Sequence, residues 1–225
     1  MVGAMLPNRP FREPPQTARE RLLEAGLALV RRQGFAATSL DQLCRHAGVT
    51  KGAFFHHFAS KEALGVALAE YWSVSTGAFF AAAPFHGHAS ARDRVLGYID
   101  LRIALLDGPA EAFSCVAGTM VQEGFLTSPA IRDACGASIM GNARALEADL
   151  AEALDQRGAN RVTAASLARH VQAVIQGAFV LAKAGPPEQA AATAREQLGH
   201  LRLYLELLLK AGQAGEQQWP ISTGS

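Results

Sequence analysis

The chain has 225 residues, 49% of them apolar and 18% charged, a balance that supports a packed core and excludes a disordered polymer. Arg, Glu, His or Gln interrupts every apolar run before the ~18 residues a membrane helix needs, and "MVGAMLPNRPFREPPQ" has no apolar core of signal-peptide length. Up to Glu62, nine Lys and Arg face five acids, whereas the remainder has twelve against fifteen; a basic front on an acidic body suits a polyanion-binding head joined to a partner domain.

Residues 1–15 read as a disordered leader, in which Arg9 and Arg12 could otherwise form a minor-groove arm. Thr17 to Glu20 is a capping box, and Ala18, Leu22, Ala25 and Leu29 recur at helical spacing until Gly34. "TSLD", starting at Thr38, opens a short second helix with Leu40, Leu43 and Ala47 inward, and Gly48 ends it. Thr50 caps a third helix. Ser60 caps a fourth, which runs through Tyr71 and Trp72 towards Phe80. After a break at Pro84 to Ser90, helices are expected at about 91–107, 112–125, 129–156, 163–184 and 187–211. Pro129 follows Ser128 at a first helical position, where its missing N–H costs nothing. Residues 212–225 have no periodicity and read as a frayed tail. The fold class is therefore all-α with about nine helices: a three-helix helix-turn-helix head over 16–76 and a larger helical body over 77–211.

The functional signal lies in "AGVTKGAFFHHFASKEAL", residues 47 to 64. Gly48 permits the tight turn between the second and third helices, which makes 39–58 a helix-turn-helix. Phe54 and Phe58, at i and i+4, are expected to pack on Leu40, Leu43 and Leu64. That leaves Lys51, Gly52, Phe55 and His56 outward, with His57 on the flank. Orphan N–H groups at Thr50, Lys51 and Gly52 favour an anion, and the bare glycine lets a helix approach a groove floor. Phe55 could press on a thymine methyl, and the imidazoles could donate to phosphates or bases.

"GFAATSLDQLCRHAGVTKGAFFHHFASKEAL" resembles the DNA-binding signature of the tetracycline-repressor (TetR) family of bacterial transcriptional regulators, closely from residue 17 to about 64. The resemblance implies phosphate contacts from Thr38 or Ser39, Thr50, Phe55, His57 and Lys61. It implies base-edge or groove contacts from Lys51, Gly52, Ala53 and His56. Two positions depart from the family pattern: its usual tyrosine is Phe55 here, and its usual second-helix alanine is Cys44.

In the body, "CVAGTMVQEGF" is a candidate wall of a ligand pocket, with Cys115, Met120 and Gln122 as lining residues. Three widely separated cysteines, Cys44, Cys115 and Cys135, suit reduced thiols in a cytoplasmic protein, and Cys115 is a candidate redox or electrophile sensor. The last two helices carry more apolar width than one contact needs. Leu167, Val171, Val174, Gly177 and Leu181 of one, with Leu201, Leu205 and Leu208 of the other, are expected to form a four-helix dimer interface. Cys44, His46, His56 and His57 lack zinc-ligand spacing, and His86 and His88 read as polar loop residues. No nucleotide loop, nucleophile motif or metal box appears, so no cofactor, metal or catalytic residue is expected. The function expected is that of a non-enzymatic homodimeric repressor, binding a palindromic operator in double-stranded DNA and relieved by a small-molecule effector. An effector-independent DNA binder is the alternative.

Overall fold

The computed structural model describes residues 17–157 and 162–210; Arg9, Arg12 and the 212–225 tail lie outside the described residues. Within these, every regular element is helical: α1 (Ala18–Gln33), α2 (Leu40–Ala47), α3 (Lys51–His57), α4 (Lys61–Ala81), α5 (Ala91–Ala104), α6 (Ala110–Phe113), α7 (Val116–Gly124), α8 (Pro129–Arg157), α9 (Ala164–Ala184) and α10 (Ala190–Leu208). The all-α expectation holds.

The helix starts are set by side-chain oxygens. Thr17 Oγ1 accepts the Glu20 N–H at 3.2 Å while the Glu20 carboxylate accepts the Thr17 N–H at 3.2 Å, a pair of bonds worth about 1 kcal/mol to α1. The helix that "TSLD" opens is capped by Ser39, and Gln42 closes a second capping box with it, at 2.8 and 3.2 Å. Thr50 and Ser60 cap α3 and α4 through the N–H groups of Ala53 and Ala63, at 3.1 and 3.0 Å. Gly48 ends α2 in the left-handed region at φ 63°, the conformation that glycine reaches without steric cost.

The helix expected over 112–125 is two helices, so the count is ten among the described residues and not nine. Ser114 and Cys115 are extended, and Cys115 Sγ accepts the Gly118 N–H at 3.3 Å as the N-cap of α7. The break sets off α6, whose Glu111 and Ala112 carbonyl oxygens meet Arg31 of α1.

Two apolar clusters form the core. Leu22, Leu23, Val30, Leu43, Phe54, Leu64 and Leu68 are the centre of the head, but Val116, Ala117 and Met120 of α7 and Ile131 and Cys135 of α8 belong to the same cluster. Each fully buried large side chain contributes roughly 1.5–3 kcal/mol, so the head is stabilised by the body it stands on. α4 runs unbroken past the expected 76/77 boundary to Ala81, with Thr76 donating to the Trp72 carbonyl oxygen at 2.7 Å. The second cluster packs α5, α8, α9 and α10 around Ile99, Leu150, Leu167, Val171, Leu198 and Leu205.

That packing corrects most of the expected dimer face. Leu167, Val171, Leu201 and Leu205 are 3% exposed or less, within their own subunit. Val174 and Leu208 are half-buried against the same core, which leaves Gly177 and Leu181 exposed. The richest apolar stripe of each helix was claimed by the body. The surplus lies beside it, as Ala173, Gly177, Val180 and Leu181 on α9 and Leu203, Tyr204 and Leu207 on α10.

Candidate nucleic-acid interface and adjoining pocket

Phe54 holds the third helix. It is 1% exposed, and its ring meets Phe58 at 5.8 Å and Phe55 edge-on at 5.3 Å between centroids. With that side anchored, Thr50, Lys51, Gly52, Phe55 and His56 are exposed and Ala53 and His57 half-buried. The surface carries one charged, two imidazole and one apolar group along seven residues, the side-chain types that can meet base edges and phosphates together.

Thr38 drops out of this set. It is 1% exposed, and its hydroxyl donates to the Gly34 carbonyl oxygen at 2.6 Å while accepting from Gln33 Nε2. Ser39 remains exposed beside it. Lys61 is partly committed elsewhere: Nζ donates to the Ala36 carbonyl oxygen at 3.2 Å and lies 4.7 Å from the Phe35 ring centroid. Burial lowers its pKa, against the opposing charge of Glu123.

The sequence pattern did not single out Asp41. Its carboxylate sits 2.6 Å from Lys51 Nζ, with both side chains about 60% exposed. Hydrogen bonding to Asp41, then its charge, raises the Lys51 pKa. Only the spatial return of α3 over α2 brings Asp41 to Lys51. Cys44 is buried whereas His46 and His56 are exposed, and among the described residues no three of these side chains come together as a metal site would need.

Behind the head, α7 and α9 enclose a cavity of about 220 Å³. Cys115 and Gln122 line it as expected, with Ser114, Thr119, Glu123, Gln176, Phe179 and Lys183. Met120 does not; at 1% exposure it points into the head cluster, on the opposite side of α7. Lys183 Nζ donates to Thr119 Oγ1 at 2.9 Å, and partial desolvation lowers its pKa against the charges of Cys115 and Glu123. A second cavity, of about 420 Å³, adjoins at the seam between head and body. It shares Thr119, Glu123 and Lys183 and adds Arg31, Arg32, Gly34 and Glu111.

Arg31 bolts that seam. It is buried, with Nε donating to the Glu111 carbonyl oxygen at 2.6 Å, Nη2 to that of Ala112, and the guanidinium 5.7 Å from the Trp72 ring centroid. Burial lowers its pKa, with the charges of Cys115 and Glu111 opposing. Its place in the sequence, in the last turn of α1, signals only a base complementing a helix dipole.

The three thiols differ sharply. Burial pushes Cys135 up to about 12, and burial with the Asp41 charge raises Cys44; Cys115 is half-exposed on the pocket. At pH 8 a thiol of pKa 12 is thiolate in only about one molecule in ten thousand. Iodoacetamide at pH 8 is therefore expected to modify Cys115 first, and Cys44 and Cys135 only after denaturation. Peptide mass spectrometry showing Cys135 labelled at the same rate in the native chain would contradict this placement.

Two family models match separate parts of the chain. Residues 22–68 match the family model for bacterial regulatory proteins of the TetR family, and residues 93–197 match that for the C-terminal domain of LmrA/YxaF-like transcriptional regulators. The repressor NemR of Escherichia coli K12 is 39% identical over 80 residues, covering 36% of this chain and 40% of NemR. The regulator YerO of Bacillus subtilis 168 is 41% identical over 54 residues, covering 24% of this chain and 19% of YerO. The chain thus spans less than half the length of these curated relatives. In three dimensions, the crystal structure of reduced E. coli NemR superposes with TM-score 0.74 at 24% identity, over 88% of this chain and 99% of that one. A TetR regulator from Chloroflexus aurantiacus superposes with TM-score 0.70 at 25% identity, over 84% and 93%. With a family head and a family body following each other along one helical frame, the chain belongs to the TetR family of bacterial transcriptional regulators.

Proposed function

We propose that the chain acts in the cytoplasm as a homodimeric repressor, binding a palindromic operator through α3 and released by a small ligand held between α7 and α9. The observation that carries this reading is the outward face of α3, fixed from behind by Phe54 and Phe58. Lys51, Gly52, Ala53 and His56 meet base edges; Ser39, Thr50, His57, the Phe55 ring and the uncommitted donors of Lys61 lie along phosphate. The exposed strip on α9 and α10 pairs two subunits about a two-fold axis, which sets the two recognition helices about 34–36 Å apart for successive major grooves. A ligand that prefers a body with another spacing lowers operator affinity by population shift. Among the described residues no helix is long and apolar enough to cross a membrane.

Selection of duplexes from a random library by the purified chain tests this reading, which requires an inverted repeat. Lys51→Ala is expected to weaken binding, change the preferred bases and shallow the salt slope by about one. Asp41→Asn, which frees Lys51 and removes a carboxylate from the phosphate side, is expected to tighten binding to every duplex and reduce discrimination. Unaltered base preference in both variants would take Lys51 off the reading face.

A second reading is favoured by the position of Cys115. Its Sγ faces the pocket as the cap of α7, half-exposed. A thiol so placed is open to oxidants and electrophiles, with repression lifted by covalent change in place of reversible binding. Derepression that persists after dialysis and reverses with reductant would select this reading over reversible binding.

A further inference from the structure

Glu123 occupies a position that local chemistry does not favour. It lies in the last turn of α7, where the helix dipole opposes a carboxylate. The carboxylate leaves its own helix end and crosses to the head, where Oε2 accepts the backbone N–H groups of Phe35 at 2.7 Å and Ala36 at 2.9 Å. The same loop is held from the other side by Lys61, through the Ala36 carbonyl oxygen. The α1–α2 connection that sets the helix-turn-helix is thus clasped by one acid from the body and one base from α4.

The approach is close. Gly34, which starts this loop at φ +88°, would place a Cβ 2.0 Å from Glu123 Oε1, so a side chain there would be strained in its backbone and would push the carboxylate aside. Glu123 also lines both cavities. One helical turn back along α7, Gly118 faces Gln176 of α9 across the first cavity so closely that a Cβ would lie 2.1 Å from its Oε1. A group larger than this space presses on α7 and on Gln176 of α9, and the far end of α7 is bonded to the head.

We propose that Glu123 is the positioning residue through which occupancy of the α7–α9 pocket is passed to the recognition helix. The proposal rests on the reading of the chain as a pocket-regulated DNA binder. A ligand that shifts α7 withdraws the carboxylate from Phe35 and Ala36, loosens the α1–α2 loop and changes the seating of α2 and α3. The coupling requires only that the ligand prefer the state in which the two bonds are broken.

The probe is a group of known size placed in the pocket: carbamidomethylation of Cys115 by iodoacetamide. In the unsubstituted chain this is expected to raise amide hydrogen exchange over residues 34–38 and to weaken binding to a selected duplex about tenfold. In Glu123→Ala, exchange over 34–38 is expected to be raised already, and alkylation to change duplex affinity by less than about twofold. Glu123→Gln keeps an acceptor oxygen and is expected to restore loop protection and the response. Glu123→Asp, shorter by one methylene with the charge kept, serves as the second uncoupled variant should the alanine chain not fold. An unchanged response in Glu123→Ala and Glu123→Asp, or no response to alkylation in the unsubstituted chain, would overturn the proposal. A chain that binds no duplex at all would fail the DNA-binding reading instead, and the exchange measurement alone would still decide whether Glu123 links pocket and loop.

Discussion

Gly177→Arg is expected to give a folded, soluble monomer that has lost tight binding to a palindromic duplex. Within the subunit an added Cβ at this position meets no side chain and no other helix within 4 Å, so the new side chain starts into open space. Around it, however, Val180 and Leu181 are 45% and 49% exposed, and on α10 Leu203, Tyr204 and Leu207 are 53%, 43% and 61% exposed. Exposed apolar side chains on two neighbouring helices are the surface through which the proposed dimer would form. A guanidinium in the middle of it would be desolvated without a partner, at a cost of several kcal/mol per subunit. Since two linked heads bind more tightly than one by an effective-concentration factor on the order of 10²–10⁴, loss of dimerisation should cost that much affinity. Light scattering, with circular dichroism as the folding control, reads the result. A variant still dimeric would place the interface elsewhere on the chain. Leu205→Arg, by contrast, buries a charge in the body core and is expected to unfold it.

The head was legible in the sequence because its determinants are local. The Thr17 box, the left-handed Gly48 and the i,i+4 pair of Phe54 and Phe58 each act within a few residues, and each appears in the structure where the spacing put it. The reading stayed open where neighbouring residues compete for one role. Thr38 and Ser39 are both good caps; the structure gives the cap to Ser39 and uses Thr38 to tie the loop to Gly34. A cysteine carries no capping signal in a sequence, so the break between α6 and α7 went unread. Apolar periodicity likewise shows that α9 and α10 have broad apolar faces. It does not say which part of that face the subunit keeps and which it offers to a partner.

The long-range bonds had no sequence signature at all. Arg31 reaches Glu111 and Ala112 across 80 and 81 residues, and Glu123 reaches Phe35 and Ala36 across 88 and 87. Their targets are backbone groups, which every residue carries, so no complementary side chain marks the other end. These bonds join head to body, and the device that would transmit a signal was therefore the least readable part of the chain.

Phe54→Ala and Phe55→Ala, adjacent and chemically identical changes, are expected to differ in what they cost: stability in the first, duplex binding alone in the second. Phe54 is the one residue that α3 buries, so its truncation opens a cavity beneath a helix of seven residues. Such losses cost about 3–5 kcal/mol, a large part of the roughly 5–15 kcal/mol that holds a domain together. The melting temperature should fall, and duplex binding with it, because α3 has no second buried side chain of its own to hold its orientation. Phe55 is 53% exposed and touches Phe54 only edge-on. Its truncation should move stability by less than about 1 kcal/mol while weakening duplex binding in a folded chain. Phe55→Tyr then adds a hydroxyl on the phosphate side and should tighten binding by about 0.5–1.5 kcal/mol. Thermal unfolding and equilibrium duplex binding on the three variants separate the two roles. If Phe55→Ala melted early and Phe54→Ala did not, α3 would be turned about its axis, and the face assigned to DNA would be the one that packs on the head.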